Sequence, residues 1–275
     1  MFVLSLKKWE FEIMNSRVRT FLSEFSGSLN IQQQLVVQQL VLRYRRTTLG
    51  FLWTLVNPLM MISIMAVVFS TLFKEDLKVF ALTLFAGMIP WNFLNSVATQ
   101  SCTAFVHNES LIKKIYLPKV IFPSSIVFAL LVDSLLSFLV LFCVILVLGG
   151  TFSWALLFLP ISFLLLFFFA FGIALIMSIA TVFFRDLKHV IVLMMQALFY
   201  LSPVLYKPES LSGGLSFLVA INPVTPFIAL FRVPLVNGTL PSINIILHSI
   251  GFTVISIALG MYIFIRQEKQ IIFRL

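Results

Sequence analysis

Residues 134–184 read SLLSFLVLFCVILVLGGTFSWALLFLPISFLLLFFFAFGIALIMSIATVFF, a stretch without a single Asp, Glu, Lys or Arg. The hydrocarbon core of a bilayer is ~30 Å thick, and a helix of ~20 residues crosses it. The stretch is long enough for two crossings, and Gly149, Gly150 and Thr151 interrupt it where a turn is expected. It therefore predicts two membrane-spanning helices joined by a short loop.

Three other runs lack charged residues, at 47–73, 79–108 and 233–265. Backbone polar groups in lipid must be satisfied within a helix or a closed barrel. Because these runs are continuously apolar and do not alternate with polar residues, they predict helices. We expect an all-α integral membrane protein whose transmembrane domain covers 51–265. Its six transmembrane helices are expected at about 51–73, 79–101, 121–148, 152–183, 189–206 and 243–265.

The composition supports a membrane protein. Hydrophobic residues make up 60% of the chain and charged residues 11%, and the mean hydropathy is +1.08. Soluble domains carry roughly 25% charged residues. A chain with so few charges cannot cover its surface in water, which excludes a soluble domain.

The basic residues are concentrated on one side of the predicted spans. Fifteen of the 19 Lys and Arg residues fall in 1–50, in the loops after the second and fourth spans, and in 266–275. Because basic loops stay in the cytoplasm, both the N-terminal segment 1–50 and the tail 266–275 are expected there. Contact with anionic lipid accounts for the net charge of +9, without a nucleic-acid partner.

Residues 30–46 read NIQQQLVVQQLVLRYRR. Ile31, Leu35 and Leu42 recur at helical spacing, with glutamines and arginines between them. This pattern predicts an amphipathic interface helix on the inner membrane surface. A simple polar extension is the alternative.

The fifth span and the region after it are irregular. Gln196, Ser202 and Pro203 predict a kink or an early end in the span at 189–206. The outer region 207–242 holds apolar stretches that are too short to cross, and four prolines break it up. It predicts short re-entrant helices in the outer leaflet, with their ends buried in protein or facing a water-filled cavity.

The sequence offers little enzymatic chemistry. It has no Gly-Lys dipeptide and therefore no phosphate-binding loop. Its three histidines, His107, His189 and His248, are far apart in the chain. We expect a non-catalytic subunit with no catalytic residues, no metal site and no cofactor of its own.

Asp133 is the ionisable residue that stands out inside a predicted span. An intramembrane acid is by default a functional hypothesis. The alternative is a bond to a polar residue of a neighbouring helix, which is favoured because no Lys or Arg is expected at similar depth. Secondary transporters carry several buried charges and internal repeats. This chain shows neither pattern, so its coupling energy is expected to come from another subunit.

Three stretches carry a family resemblance. They are LRYRRTTLGFLWTLVNPL at 42–59, FFRDLKH at 183–189 followed by LFYLSPVLY at 198–206, and NPVTPFIALFR at 222–232. In this order they resemble the permease subunits of ATP-binding-cassette (ABC) polysaccharide exporters, which export O-antigen, teichoic acid and capsule. The similarity is closest to the exporters of O-antigen and related lipid-linked glycans.

The resemblance implies a multi-pass permease in the bacterial inner membrane. It implies a homodimer with two cytoplasmic ATPase subunits, which bind ATP and Mg²⁺, and a lipid-linked glycan that passes between the two permeases. Three alternatives stay open: a drug or small-lipid exporter of the same superfamily, an ion-coupled glycolipid flippase, and a membrane-embedded glycan-processing enzyme. The last would need a cluster of acids or histidines at one membrane face, which the sequence does not show.

The resemblance also implies roles for individual residues. The loop 108–118 resembles a coupling helix that docks into the ATPase; Asn108 or Ser110 could cap it, and Pro118 would end it. The residues assigned to ATPase coupling are Asn108, Glu109, Ser110, Leu111, Ile112, Lys113, Lys114, Arg185 and Asp186. The alternative is that the two lysines anchor the end of a span.

Substrate contacts are assigned in two groups. The arginines Arg43, Arg45 and Arg46 are expected at the entrance, where they would meet a lipid diphosphate, although membrane anchoring explains them nearly as well. Aromatic residues are expected to offer stacking surfaces to sugar rings along the path, with anchoring at the membrane interface as the alternative. They are Trp53, Phe69, Phe73, Phe199, Tyr200 and Tyr206.

Overall fold

The computed structural model describes residues 27–44, 50–147, 153–208 and 212–274. The regular elements of these residues are all helices, which confirms the all-α prediction. The α-helices are α1 (Leu29–Tyr44), α2 (Trp53–Phe73), α3 (Leu77–Ser101), α4 (Glu109–Lys114), α5 (Ile121–Val147), α6 (Leu159–Phe183), α7 (Leu187–Leu201), α8 (Gly214–Ile221), α9 (Thr225–Arg232), α10 (Ile243–Gln267) and α11 (Ile271–Arg274). Short 3₁₀ turns at Gly50–Leu52, Val106–Asn108, Trp154–Phe158 and Glu268–Gln270, and a π turn at Val233–Asn237, extend or join them.

Five helices of the described chain, α2, α3, α5, α6 and α10, are long and apolar enough to cross a membrane. The pair α8–α9 is bent by 82° and raises the number to six if it counts as one broken span. Helix α7, predicted as the fifth crossing, has 15 residues. At 1.5 Å per residue it covers about 22 Å, less than the ~30 Å of the hydrocarbon core. The six-span assignment therefore stays a prediction.

Helix α7 ends at Leu201, ahead of the predicted limit at 206. Ser202 is extended, with φ −98° and ψ 139°. The ring of Pro203 disfavours the helical conformation at the residue before it. The early end predicted from Ser202 and Pro203 is thus present, and the chain continues as a turn.

Helix α3 lies at the centre of the bundle. It packs against α2, α5, α6 and α9, and two-thirds of the residues in its apolar segment are buried. Fully buried side chains such as Leu84 and Val97 form the middle of the core. The neighbours of α3 are therefore positioned relative to one another through this helix.

Helices α6 and α10 form the most extensive helix pair of the described chain, and their backbones touch. A Cβ atom at Gly172 would lie 2.4 Å from Ser256, and one at Gly260 would lie 2.6 Å from the carbonyl oxygen of Gly172. The hydroxyl of Ser256 donates a 2.8 Å hydrogen bond to the carbonyl of Phe169. Small residues and interhelical hydroxyl bonds of this kind drive helix association in lipid, where the hydrophobic effect does not.

Helix α1 runs alongside α5. The Gln32 side chain donates to the hydroxyl of Ser124 at 3.2 Å, and Arg43 pairs with Asp133 further along both helices. Of the three residues in the predicted apolar face, Leu35 is buried against α5 and the core, whereas Ile31 and Leu42 are exposed. The predicted helix is present and packs beside α5 through these contacts. Its position on the membrane surface stays a prediction.

Candidate functional site

The loop expected to couple to an ATPase contains a short helix at the predicted place. Helix α4 begins at Glu109 and ends at Lys114, ahead of Pro118. Ile112 is buried, whereas Lys113 and Lys114 are exposed. The helix thus fixes one apolar side chain in the protein and offers two positive charges to solution. Its docking to an ATPase stays a prediction.

The predicted capping of this helix is wrong. Asn108 occupies the position before the first helical residue, yet its side chain makes no capping bond. Its Nδ2 instead donates a 2.8 Å hydrogen bond to the carbonyl of Ala104. Ser110 lies inside the helix and does not cap it either. The reason is that a 3₁₀ turn leads directly into α4, so Asn108 lacks the extended backbone that a capping residue needs.

Charged residues of both predicted coupling segments act on the acidic side chain of Glu109. Lys113 Nζ lies 2.5 Å from Glu109 Oε1, one turn earlier on α4. This hydrogen bond and the charge of Lys113 lower the pKa of Glu109, and the positive charge of Arg185 lowers it further. The charge of Arg185 therefore reaches α4 from the turn between α6 and α7.

Arg185 and Asp186 are both exposed in that turn. Within the described residues neither belongs to an ion pair. The backbone carbonyl of Asp186 begins α7 by accepting a 3.0 Å bond from the amide of His189. The guanidinium of Arg274 lies 4.6 Å from the centre of the Phe183 ring, so α11 packs at the same corner. Coupling roles for both residues stay predictions.

Asp133 has a cationic partner, so the expectation that no Lys or Arg lies at similar depth is wrong. Arg43 Nη1 pairs with Asp133 Oδ2, and Arg43 Nη2 donates a 2.8 Å hydrogen bond to Gln100 Oε1. The exposed fractions of the Arg43 and Asp133 side chains are 28% and 13%. The alternative, a bond to a neighbouring helix, is thus realised by an arginine. Local patterns did not reveal it because the partners are 90 positions apart in the chain.

This pairing changes the expectation for the entrance arginines. Arg43 was expected to face a lipid diphosphate, but both of its terminal nitrogens contact protein groups. Arg45 and Arg46 lie outside the described residues. An entrance role for the three arginines therefore stays a prediction, and for Arg43 it would require breaking existing contacts.

A cavity of about 440 Å³ opens beside the ion pair, between α1, α2, α3 and α5. Polar and aromatic side chains line it together with aliphatic ones. The polar and aromatic lining residues include Trp53, Asn57, Asn92, Ser96, Asp133, Ser134 and Ser137. The sequence analysis did not single out Asn57 and Asn92 as candidate site residues. Their polar side chains stand inside apolar runs, and this pattern could have identified them.

The six predicted path aromatics fall into three places. Trp53 lines the cavity beside Asp133. Phe69 and Phe73 stack at 5.9 Å at the C-terminal end of α2, the end that is predicted to be outer. The remaining three surround the end of α7, and they are Phe199, Tyr200 and Tyr206. The outer groups meet in a small cavity of about 190 Å³ lined by Phe73 and Tyr206, but contact with sugar stays a prediction.

A clamp on the side that is predicted to be outer joins two of the stretches that carry the family resemblance. Arg232 Nη2 donates hydrogen bonds to the carbonyls of Pro203 and Val204 at 2.6 and 3.0 Å. Asn222 Nδ2 donates to the hydroxyl of Ser202 at 2.8 Å. Gly87 makes room for the guanidinium, since a Cβ there would lie 3.1 Å from Arg232 Nη2. The sequence predicted only that Arg232 lies in a region outside the membrane. It did not reveal that the Arg232 side chain binds backbone carbonyls of the segment after α7.

A larger cavity of about 760 Å³ lies between α8, α9 and α10. Lys207, Arg232 and His248 are its basic lining residues. Lys207 Nζ also lies 2.7 Å from Glu75 Oε1, and this contact links the region after α7 to the turn between α2 and α3. Helices α8 and α9 of the predicted gate region thus enclose a space together with α10, and its position on the outer side stays a prediction.

Within the part of the chain that the structure describes, no three His, Cys, Asp or Glu side chains are grouped so as to hold a metal ion. The cysteines Cys102 and Cys143 are both free. The described groups available for ligand contacts in the cavity beside Asp133 are hydroxyls, amides, aromatic rings and the Asp133–Arg43 pair. The larger cavity also offers the basic side chains of Lys207, Arg232 and His248.

Comparison with known proteins identifies relatives along most of the chain. A sequence model described as "ABC-2 type transporter" matches residues 32–236. Two proteins of Klebsiella pneumoniae, both named "O-antigen export system permease protein RfbA", are 30% identical to this chain. One match covers 82% of this chain and 88% of that protein, and the other covers 74% and 79%. A Myxococcus xanthus protein of the same name is 24% identical over 86% of this chain and 92% of its own length.

Proposed function

Because this chain belongs to the ABC-2 type transporter family, we propose that it is the permease subunit of an ABC exporter for an O-antigen-like polysaccharide. The observation that carries the proposal is the match to the RfbA permeases, at 30% identity over 82% of this chain. The family match at 32–236 runs from α1 to the π turn. It therefore includes α4, the cavity beside Asp133 and the outer clamp.

We further propose that ATP hydrolysis in a separate cytoplasmic subunit drives export. The physical support is the position of α4, which lies in the connection between α3 and α5. A force applied to α4 acts directly on the inner ends of both helices. Arg43 contacts α3 through Gln100 and α5 through Asp133, so a relative shift of these helices would be felt by α1.

The finer assignments belong to the same proposal. Two copies of the chain would assemble with two ATPase subunits in the bacterial inner membrane, with both termini in the cytoplasm. The substrate would be a lipid-linked glycan. The exposed lysines Lys113 and Lys114 support docking of a partner at α4. The ion pair of Asp133 supports an ATP-driven mechanism over ion coupling, since the carboxylate already has a cationic partner.

The test is deletion of the gene, with analysis of lipid-linked glycans on each side of the inner membrane. We expect the glycan to accumulate on the cytoplasmic side and to disappear from the cell surface. A copy of the gene should restore export only when the partner ATPase can hydrolyse ATP. Normal surface glycan in the deletion strain would contradict the proposal. Loss of drug or small-lipid efflux without a change in glycan would favour the other type of exporter.

A further inference from the structure

We propose that the 440 Å³ cavity beside Asp133, hereafter the inner cavity, binds a neutral sugar unit of the transported glycan. This inference rests on the proposed export function and specifies where in the chain a substrate unit is held. Its volume lies within the ~300–1,000 Å³ of typical small-molecule sites. The inner cavity lies between helices of one subunit and has its own polar groups.

The polar lining of the inner cavity converges from three helices that the sequence marks as spans. Asn57 comes from α2, Asn92 and Ser96 come from α3, and Asp133 and Ser137 come from α5. Polar groups inside a membrane are costly, and those that persist mark pathways or binding sites. Their convergence on one space therefore indicates a ligand with many hydrogen-bonding groups.

Two polar atoms of the lining have no hydrogen-bond partner within the described residues. They are Asp133 Oδ1 and Ser134 Oγ, and both atoms are buried. An unpaired buried polar atom costs about 1–3 kcal/mol. A ligand that donates hydrogen bonds to these two oxygens would remove this cost. The exposed side chain of Asn57 and the half-buried side chain of Asn92 line the same space and offer further polar contacts.

The charges of the inner cavity select a neutral ligand. The Arg43 guanidinium balances the Asp133 carboxylate, and its other terminal nitrogen contacts Gln100. No other charged side chain of the described residues lines the space. A phosphate would bring further negative charge next to Asp133, which is unfavourable at low dielectric. A neutral molecule brings no such charge.

The aromatic and aliphatic lining separates a sugar from other neutral ligands. Trp53 presents an indole ring to the same space as the amides and hydroxyls. A sugar ring has hydroxyl groups around its edge and an apolar C–H face, so it matches both kinds of lining. An acyl chain would leave the polar groups unpaired, and water alone would leave the Trp53 surface hydrated.

The test measures whether glycan protects the inner cavity from a thiol reagent. In the complete exporter, Cys102 and Cys143 are replaced by Ala and Asn92→Cys is introduced. A small methanethiosulfonate reagent labels the protein in cells that make the glycan and in cells that lack the first enzyme of its synthesis. We expect glycan to slow labelling about tenfold, as for a site occupied about nine-tenths of the time. Equal rates in the two strains would overturn the proposal and leave a water-filled cavity only.

The matched control is Asn244→Cys, an exposed asparagine near the outer end of α10 that lines neither cavity. Its labelling should be the same in both strains. If Asn92→Cys fails to accumulate in the membrane, Ser96→Cys, which lines the same space one turn further along α3, takes its place.

Glycan export by the unmodified chain is measured in parallel. Export that does not depend on the chain would contradict the proposed function. Export that depends on the chain, together with unprotected cysteines, would contradict only the sugar site.

Discussion

At the scale of single residues, Arg43 and Asp133 form an ion pair that joins α1 to α5. Together with Gln100 they join α1, α3 and α5. Removing one partner of a fully buried pair costs about 3–5 kcal/mol, because the other charge stays buried without compensation. Arg43 is 28% exposed, which allows water to reduce that cost.

We therefore expect Arg43→Ala to lower the free energy of unfolding by about 2 kcal/mol. The measurement is thermal unfolding of the purified protein in detergent. The double variant Arg43→Met with Asp133→Leu should be more stable than Arg43→Ala, since it leaves no buried charge. Strict additivity of the two single changes would show that the pair is not coupled.

Asp133→Asn separates ATP-driven export from ion coupling. Asparagine keeps an oxygen in the inner cavity and still accepts a hydrogen bond from Arg43. We expect the variant to retain most of its glycan export, measured as surface glycan per cell. A complete loss of export with normal protein levels would instead favour a mechanism in which the carboxylate exchanges a proton or another cation.

Arg232 is the second residue on which a whole region depends. Its guanidinium binds three carbonyls of the segment after α7, those of Pro203, Val204 and Tyr206. We expect Arg232→Met to destabilise the protein by about 2–3 kcal/mol, because these carbonyls lose a charged donor. Arg266→Met is the control, as Arg266 is exposed and should change stability by less than about 0.5 kcal/mol. Equal melting temperatures for the two variants would contradict a clamp.

At the scale of elements, the contact between α6 and α10 depends on the absence of side chains. The nearest atoms to a Cβ at Gly172 include backbone atoms of Ser256 at 2.4 Å, which cannot move aside cheaply. Thr253 also donates to the carbonyl of Leu165 at 3.3 Å, so the two helices have a fixed register.

Gly172→Val is expected to destabilise the protein by more than the ~1–3 kcal/mol typical of overpacking, since backbone must shift. The measurement is the fraction of protein that stays monodisperse in detergent after heating. Gly251→Ala is the control: it lies on α10 with nothing within 4 Å of its Cβ, and alanine should stabilise the helix by about 0.5–1 kcal/mol. A harmless Gly172→Val would show that the helices are further apart than described.

Helix α4 is the element expected to receive force from the ATPase. Reversing its exposed charges with Lys113→Glu and Lys114→Glu should reduce export while ATP hydrolysis continues. The readout is the amount of glycan exported per ATP hydrolysed in the reconstituted complex. Lys269→Glu, an exposed change in the 3₁₀ turn after α10, is the control. Unchanged coupling in the α4 variant would count against docking at this helix.

At the scale of the whole molecule, helix α7 leaves most of its apolar side chains exposed. Val190, Leu193, Met194 and Tyr200 are all exposed, and Ile191 is the buried residue of the helix. Helices α2 and α10 also expose most of their apolar surface, so lipid contact accounts for such surfaces, and the pairing of two permeases rests on the family proposal alone. We expect native mass spectrometry of the purified complex to show two copies of this chain with two ATPase subunits. A complex with a single copy would contradict that assembly.

The helices were predictable because charge and hydropathy act locally along the chain. The charge-free runs gave α2, α3, α5, α6 and α10, and Pro203 gave the early end of α7. The contacts that define the candidate site were not predictable in the same way. Arg43 meets Asp133 only because α1 runs beside α5, and a single sequence does not reveal which helices become neighbours.

The touching backbones of Gly172 and Gly260 have a consequence for motion during transport. Because no side chains separate the two backbones here, we expect α6 and α10 to keep their relative position and to move together as one rigid unit. Any alternation between inward-facing and outward-facing states must then hinge elsewhere. The helices best suited to move relative to α6 and α10 are α7, which is short, and α2, which has little buried surface.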